Sequence, residues 1–518
     1  MAGLEATNKS WGQSIKAFMH PRVITMLFLG FSAGIPILLI FSSLSLWLRE
    51  AGVERSTVTF FSWAALGYSF KFVWAPLVDK LPVPFLTARF GRRRGWMLAS
   101  QISIIIAILW MAQTDPVEPG GMLLMALAAL LLGFSSATQD VVIDAYRIES
   151  APIDLQALLS STYIAGYRIA MILAGAGALF LAEYFGSTED VYSYRAWQLS
   201  YMIMALAMIV GILTTLIIPE PTTQREDTSA YSSNDYLRLL LLFGLAVLGF
   251  IATFYFSAAG AKMVKTSLTE LFSNRHLAGF IVQTARLIAA LVVARAIALV
   301  VANIGMVNKE MVATTYIDPV KDFFKRYGAS LAWLLLALIG LYRISDIVLG
   351  VISNVFYQDM GFTKTEIALA SKSFGLAMTI TGAFLGGLLS LRFGVVKILF
   401  LGALLSALTN LLFMMLASAG NNLSMLYLVI AADNLSAGLA TAAFVAFMAG
   451  LVNMSFTATQ YAIFTSLMTL FPKIFGGYSG TLVDEFGYSN FFLMTALMGV
   501  PVLILIAAAR KRLEKLQQ

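Results

Sequence analysis

Apolar runs of about twenty residues follow one another along most of the chain, each closed by a short polar interval. A helix needs roughly 20 apolar residues to cross the hydrocarbon core of a bilayer. By that criterion spans are predicted near 23–48, 57–78, 96–113, 121–146, 158–182 and 196–218. Two more fall near 237–258 and 277–302. Six follow near 330–353, 365–391, 395–418, 423–452, 459–483 and 488–509. The total is fourteen, an even number, which puts both termini on one side of the membrane.

The polar intervals give the orientation, because Lys and Arg are retained on the cytoplasmic side. Interval 79–95 carries Lys80, Arg89, Arg92, Arg93 and Arg94, and the tail carries Arg510, Lys511, Arg512 and Lys515. The alternate intervals are acidic or nearly neutral, with Asp115 and Glu118, then Glu183, Glu189, Asp190 and Arg195, then Asp484 and Glu485. Both termini and the arginine loop are therefore expected in the cytoplasm. Segment 259–276 disagrees: it carries Lys262, Lys265 and Arg275 but would lie outside. The pair 237–302 is thus a transmembrane hairpin or partly interfacial.

Composition narrows the class. Hydrophobic residues make up 59% and charged residues 12%, against about 25% charged in soluble domains. An all-α polytopic membrane protein follows. The net charge of +7 reads as cytoplasmic retention of Lys and Arg, with the lipid bilayer as partner rather than nucleic acid. There are no cysteines, and the two histidines, His20 and His276, are far apart, so no metal or cofactor is expected. The first apolar run is too long for the core of a cleavable signal. No G-x-x-x-x-G-K-[ST] loop and no nucleophile motif is present, which argues against an ATPase or an enzyme.

The chain also repeats itself. WLREAGVERSTVTFFS (47–62) aligns without a gap on FYQDMGFTKTEIALAS (356–371), at an offset of 309. AWQLSYMIMALAM (196–208) resembles GYSNFFLMTALMG (487–499). Two six-helix bundles are implied, 1–218 and 330–518, with a linker and extra hairpin in 219–329. Two such halves with a basic loop after the second helix resemble the major facilitator superfamily. Asp79 and FGRRRG (90–95) look like that superfamily's loop motif, with a longer spacer. The resemblance implies that Asp79, Arg92, Arg93 and Arg94 hold neighbouring helix ends in one state and release them in the other; the alternative is a topology anchor alone.

A narrower resemblance is carried by YSFKFVWAPLVD (68–79), RRRGWMLASQ (92–101), SATQDVVIDAYR (136–147), YIAGYRIAM (163–171), LATAAFVA (439–446) and FTATQYA (456–462). In order and spacing these look like the AmpG muropeptide permeases. That family is implied to import N-acetylglucosaminyl-1,6-anhydro-N-acetylmuramyl peptides across the bacterial inner membrane with protons. The import would feed peptidoglycan recycling and β-lactamase induction. A symporter of another substrate, such as acetyl-CoA or a sugar, is the alternative.

Ionisable residues inside spans are the candidate chemistry, since each costs about 2.5–3.5 kcal/mol at the helix centre. Asp140 and Asp144 share one helical face and form a candidate proton-coupling pair, Asp144 being the better candidate for a structural partner. Aligning Phe185-Gly186 on Phe486-Gly487 sets Thr441 and Val445 opposite them, so the scaffold itself does not require acids there. Arg168, with Tyr163 and Tyr167, suits a substrate carboxylate or a pairing with Asp140. Lys71 and Lys372 are candidate anion partners, and Arg343 and Asp346 stand at a self-satisfying spacing. Gln139, Tyr342, Trp63, Trp74, Asn354, Gln460 and Tyr461 are candidates for sugar stacking or hydrogen bonding, with Asp433, Asn434 and Lys473 as further interior polar groups.

Overall fold

The structure is a computed structural model that describes residues 11–53, 68, 70–188, 191–222, 232–272, 275–476 and 478–516. Among these residues every regular element is helical. Among the described residues, twelve helices are long and apolar enough to cross a membrane. Most of the second predicted span, 57–78, lies outside the described residues, as do Arg55, Ser62 and Trp63.

The chain divides into two compact units, one made of Met1–Gln224 with Ala329–Gln518, the other of Arg225–Gly328. The first unit opens with α1 (Pro21–Glu50), α2 (Ala75–Lys80), α3 (Arg92–Ala112), α4 (Gly121–Ser150), α5 (Ile153–Tyr184) and α6 (Tyr194–Ile217). Pro21 opens α1 at the position where a missing N–H is harmless, and His20 Nδ1 accepts from the Arg22 N–H at 3.2 Å. The insert contributes α7 (Ser233–Phe256), α8 (Ala258–Phe272) and α9 (Arg275–Asn303). The rest is α10 (Asp318–Leu341), α11 (Ile344–Asp359), α12 (Ala368–Phe393), α13 (Val395–Ala419), α14 (Leu423–Gly450), α15 (Thr457–Gly476) and α16 (Leu482–Ala509).

The repeat is visible in the backbone. Left-handed glycines fall at matching turns: Gly52 and Gly361, Gly91 and Gly394, Gly120 and Gly420, Gly186 and Gly487. The 3-10 turn Ile153–Leu155 that leads into α5 recurs as Met454–Phe456 ahead of α15. Within each half, small residues let backbones touch. A Cβ on Gly166 of α5 would sit 1.9 Å from the Leu27 carbonyl oxygen of α1, and one on Gly382 of α12 would sit 2.0 Å from that of Leu435 on α14. Aromatic clusters fill the opposite ends. Trp47 stacks on Trp197 at 5.6 Å in the first half, and Phe356 meets Phe492 edge-on at 4.8 Å in the second.

The two halves meet at the end that carries the basic loops. Phe18 packs on Phe384 at 5.2 Å, and Gly387 of α12 admits Ser161 and Ala157 of α5. The start of α15 lies against α2 and α4.

Two boundaries depart from the hydropathy reading. Segment 259–276, taken as a loop, is largely the helix Ala258–Phe272. Its Ala, Lys, Leu and Met content and lack of proline favour a helix whether or not it is apolar enough to span. The span predicted near 330–353, the seventh once the inserted pair 237–302 is set aside, continues to Asp359, because polar Asn354 and Gln358 end the apolar run without ending the helix. In the second unit α7 begins with a capping box between Ser232 and Asp235 and packs on α9, where Gly249 admits Ile297. Arg286 of α9 donates to Ser257 Oγ at 3.0 Å and lies 4.7 Å from the Phe254 ring centre.

Candidate functional site

The thirty residues of α4 carry Asp140 and Asp144 one turn apart, but their surroundings differ. Asp144 is paired twice, with Arg147 Nη2 at 3.3 Å and Lys71 Nζ at 4.0 Å. Arg147 is fixed in turn by Gln156 Oε1 at 3.0 Å and Ser160 Oγ at 3.2 Å, and it covers the Tyr461 ring at 5.2 Å. Lys71 is buried on a 3-10 turn just before Pro76, whose ring keeps α2 from extending back through it. Asp140 is buried and has no ion pair among the described residues. Its contact is the Tyr163 hydroxyl, which donates at 3.4 Å. Lys71 and Asp144 are the charges that act on it. One turn away, Tyr68 donates to Ser136 Oγ at 2.6 Å.

Arg168 does not join this group. Its guanidinium points toward Met171 Sδ, 3.7 Å away, and the charges acting on it are Arg343 and Asp346 of the second half. The pairing of Arg168 with Asp140 allowed by the sequence is therefore not made. The seventh span breaks between Leu341 and Ile344, and that break turns Arg343 toward α14. There its Nη1 donates to Thr441 Oγ1 at 2.8 Å while its Nη2 pairs with Asp346. Thr441, the repeat counterpart of Asp140, thus orients an arginine. Asp433 lies in the same field, with Thr409 Oγ1 at 3.5 Å.

Two expected ligand contacts are turned into the bundles instead. Gln139 is fully buried and donates to Ser32 Oγ of α1 at 2.8 Å, because one residue along a helix rotates the side chain about 100° away from Asp140. Tyr342 gives its hydroxyl to the Leu399 carbonyl at 2.9 Å and stacks on Phe444 at 4.2 Å, which makes it core packing of the second half. Trp74 is likewise occupied, by Thr138 Oγ1 at 3.1 Å. Gln460 accepts from the Asn453 N–H at 2.8 Å. The Lys372 side chain lies outside the described residues.

The basic loop forms a second constellation. Arg93 is buried and pairs with Asp79 at 2.7 Å and Glu149 at 2.6 Å. Asp79 also crosses to the other half, accepting from the Ala458 N–H at 3.2 Å, the Thr459 N–H at 2.8 Å and Thr459 Oγ1 at 2.7 Å. It thereby caps the N-terminus of α15, whose first turn has no acid of its own. Arg92 donates to the Asp79 carbonyl, and Arg94 donates to the last carbonyls of α6, Thr215 at 2.9 Å and Leu216 at 2.7 Å. Glu220 accepts the Arg93 and Arg94 N–H groups at 2.8 and 3.0 Å and so caps α3. Gly91 is needed there twice: its φ is +88°, and a Cβ would lie 2.4 Å from the Glu220 carboxyl carbon. Burial pushes the Glu220 carboxyl above the usual carboxylate range, against the pull of those two N–H donors. The sequence reading passed over Glu149 and Glu220, which read as polar residues at span ends; the surplus of arginines in 92–94 was the available signal that acids must meet them.

Comparison with known proteins identifies the family. The chain matches the Major Facilitator Superfamily over residues 26–342 and 334–517. It is 30% identical to the anhydromuropeptide permease of Escherichia coli K12 over 504 residues, which are 97% of this chain and 82% of that one. It belongs to the AmpG family of major facilitator transporters. A putative transporter AmpG 4 of Rickettsia conorii is 28% identical over 95% of this chain and 97% of its own length. Among solved structures, the proton:xylose symporter XylE bound to a bromo-deoxyglucose has a TM-score of 0.57 at 13% identity, covering 96% of both chains. FucP in its outward conformation also scores 0.57 at 13% identity, covering 95% of this chain and 99% of its own. The structural likenesses speak to the fold. With the family they make this a multi-pass membrane transporter of a small molecule.

Proposed function

We propose that this AmpG-family chain imports anhydromuropeptides, GlcNAc-1,6-anhydro-MurNAc and its peptides, together with protons across the bacterial inner membrane. Its six-helix halves, 1–218 and 330–518, rock about a shared centre, with both termini cytoplasmic and 219–329 inserted between them. The cargo feeds peptidoglycan recycling and, through it, β-lactamase induction. The observation that carries this reading is Arg168. Lys71, Arg147 and Arg343 each have a carboxylate partner, whereas Arg168 has none within ion-pair distance among the described residues. A planar, always-charged guanidinium held near mid-membrane suits the lactyl or peptide carboxylate of such a cargo.

Asp140 supplies the coupling. A buried carboxylate without an ion pair is costly when charged, and a proton removes that cost. Asp144, fixed between Lys71 and Arg147, holds the two cations in place. Proton entry from the outer side supplies about 2.3 kcal/mol per 100 mV, enough for roughly fifty-fold accumulation per proton. The Asp79–Arg93 constellation serves as the cytoplasmic gate in this reading, and its opening releases cargo inward; its support is the set of contacts from Asp79 to Ala458 and Thr459 of the other half. Arg343 and Asp346 satisfy each other and keep the break in the seventh span.

The test is uptake of labelled anhydro-disaccharide into proteoliposomes under an imposed proton gradient. Asp140→Asn should retain binding and lose accumulation. Arg168→Ala should weaken binding about 10- to 100-fold, as expected for losing a charge-assisted contact. Full gradient-driven uptake by Asp140→Asn, unchanged affinity in Arg168→Ala, or displacement of the label by a CoA ester or simple sugar would each refute the corresponding part.

A further inference from the structure

Arg147 stands three residues before the end of α4 and is buried. Three groups of the first half hold it: Asp144 Oδ1 at 3.3 Å, Gln156 Oε1 at 3.0 Å and Ser160 Oγ at 3.2 Å. Gln156 is itself tied down, donating to the carbonyls of Arg147 at 3.1 Å and Ala151 at 3.0 Å. The remaining face of the guanidinium is closed from the second half. Tyr461 of α15, also buried, sets its ring centre 5.2 Å from the guanidinium carbon. α15 can come that close because Ala458 and Ala462, on either side of Tyr461, are small and share one apolar cluster with Val78 of α2 and with Val142 and Ala145 of α4. The ring that the sequence offered for sugar stacking is thus occupied by an arginine. The charged and titratable groups that act on Arg147 are Asp144, Tyr163 of α5 and Tyr461.

The repeat shows what is unusual in this contact. The alignment that sets Thr441 opposite Asp140 also sets Tyr461 opposite Ser160 and Met448 opposite Arg147. Matching positions of α5 and α15 converge on one arginine, whose own counterpart is a buried methionine. The scaffold packs without a cation at that position, so the arginine is an addition to one half. A guanidinium facing an aromatic ring is drawn to the ring's negative face, most strongly where water is excluded. We propose that Arg147 and Tyr461 form a latch between the halves, a second closure beside the Asp79 contacts, with Asp144 as the positioning residue that holds Arg147 toward the ring; this rests on the reading that the halves rock about a shared centre. The two closures differ in kind. Asp79 accepts from backbone and hydroxyl donors of Ala458 and Thr459, whereas the latch joins two side chains. Tyr461 lies two residues beyond Thr459, about 3 Å further from the start of α15. When α15 withdraws, Asp144, Gln156 and Ser160 keep Arg147 on the first half, and water takes the place of the ring.

The test needs neither cargo nor a proton gradient. Spin labels at Ala88→Cys and Lys397→Cys, exposed positions next to the basic loop of each half, report the separation of the halves in nanodiscs. Tyr461→Leu should raise the population with the longer distance about 5- to 30-fold, the worth of a cation–aromatic contact. Tyr461→Phe keeps the ring and should stay close to wild type. Asp144→Asn should shift the population in the same direction, and Tyr461→Leu should add little to that shift, because both act through Arg147. A residue that served packing alone would lower the unfolding temperature in Tyr461→Leu without moving the distance. That result overturns the latch, as does an equal shift in Tyr461→Phe and Tyr461→Leu; additive shifts overturn the positioning role of Asp144. Asp79→Asn is the control. A longer distance there without one in Tyr461→Leu is failure of the latch alone, and no longer distance in either is failure of the rocking itself.

Discussion

Replacing Asp79 by Asn tests whether the basic-loop constellation sets which side of the transporter is open. The carboxylate is 2% exposed and accepts four hydrogen bonds, one from Arg93 within its own half and three from Ala458 and Thr459 across the halves. An asparagine keeps the shape but turns one oxygen into a donor, which must then face the Arg93 guanidinium or the α15 N–H groups. A hydrogen bond to a charged group contributes about 1.5–3 kcal/mol, and a helix N-cap about 0.5–2 kcal/mol. Allowing for what the amide oxygen retains, the loss is roughly 2–4 kcal/mol, or about 30- to 1,000-fold in population. It falls on the state in which the halves meet at this end, because the contacts to Ala458 and Thr459 exist only there. Arg93 keeps Glu149 at 2.6 Å, so the first half stays folded. The chain has no cysteine, so spin labels can be placed at Ala88→Cys and Lys397→Cys, exposed positions next to the basic loop of each half. Wild type should give a short distance between the labels, and Asp79→Asn a mixture with a longer one. An unchanged distribution in a properly folded Asp79→Asn protein would remove the constellation as the gate.

Tyr342→Phe should lower stability by about 1 kcal/mol, the worth of its bond to the Leu399 carbonyl, and leave cargo affinity unchanged; a loss of affinity would return Tyr342 to the binding site. Gly166→Ala places a methyl 1.9 Å from a backbone oxygen of α1, so thermal unfolding in detergent should show a loss of about 1–3 kcal/mol or more from overpacking. Glu220→Ala leaves two N–H groups at the start of α3 without their cap, at a cost of about 0.5–2 kcal/mol. Because burial raises the Glu220 carboxyl, its share of stability is present at pH below the ordinary carboxylate range and declines as pH rises through its raised value. Glu220→Gln should therefore flatten that decline and be no less stable than wild type at neutral pH; a steeper decline would refute the assignment.

What the sequence made legible follows from how far each signal reaches along the chain. Spans and the repeat are carried by runs and offsets, and the left-handed glycines at Gly52 and Gly361 fall at matching turns. The arginines of 92–94 were legible as a cluster, but Glu149 and Glu220, which lie 56 and 127 residues from Arg93, were not. Ion-pair partners brought together by folding leave no local pattern. The same limit explains Gln139 and Tyr342. Each lies beside another candidate, Asp140 or Arg343, and a one-residue step on a helix is enough to turn the side chain to a neighbouring bundle helix.

The comparison of the halves is where sequence and structure together say more than either alone. The repeat sets Thr441 opposite Asp140, which by itself says only that the scaffold tolerates a neutral residue. The structure shows Thr441 orienting Arg343, and Arg343 has Gly34 at its own repeat position on α1. A charged pair on the seventh span therefore occupies the level at which the first half leaves an acid unpaired. Among the described residues, the Arg343–Asp346 pair stands on one side of the centre, and Asp140 and Arg168, neither with an ion-pair partner, on the other. A cargo carboxylate and a proton would complete the unpaired groups, whereas a neutral sugar would complete neither. The carboxylate rather than the sugar ring is then the feature the centre selects, and a cargo analogue with that carboxylate amidated should lose most of its affinity while keeping every sugar hydroxyl.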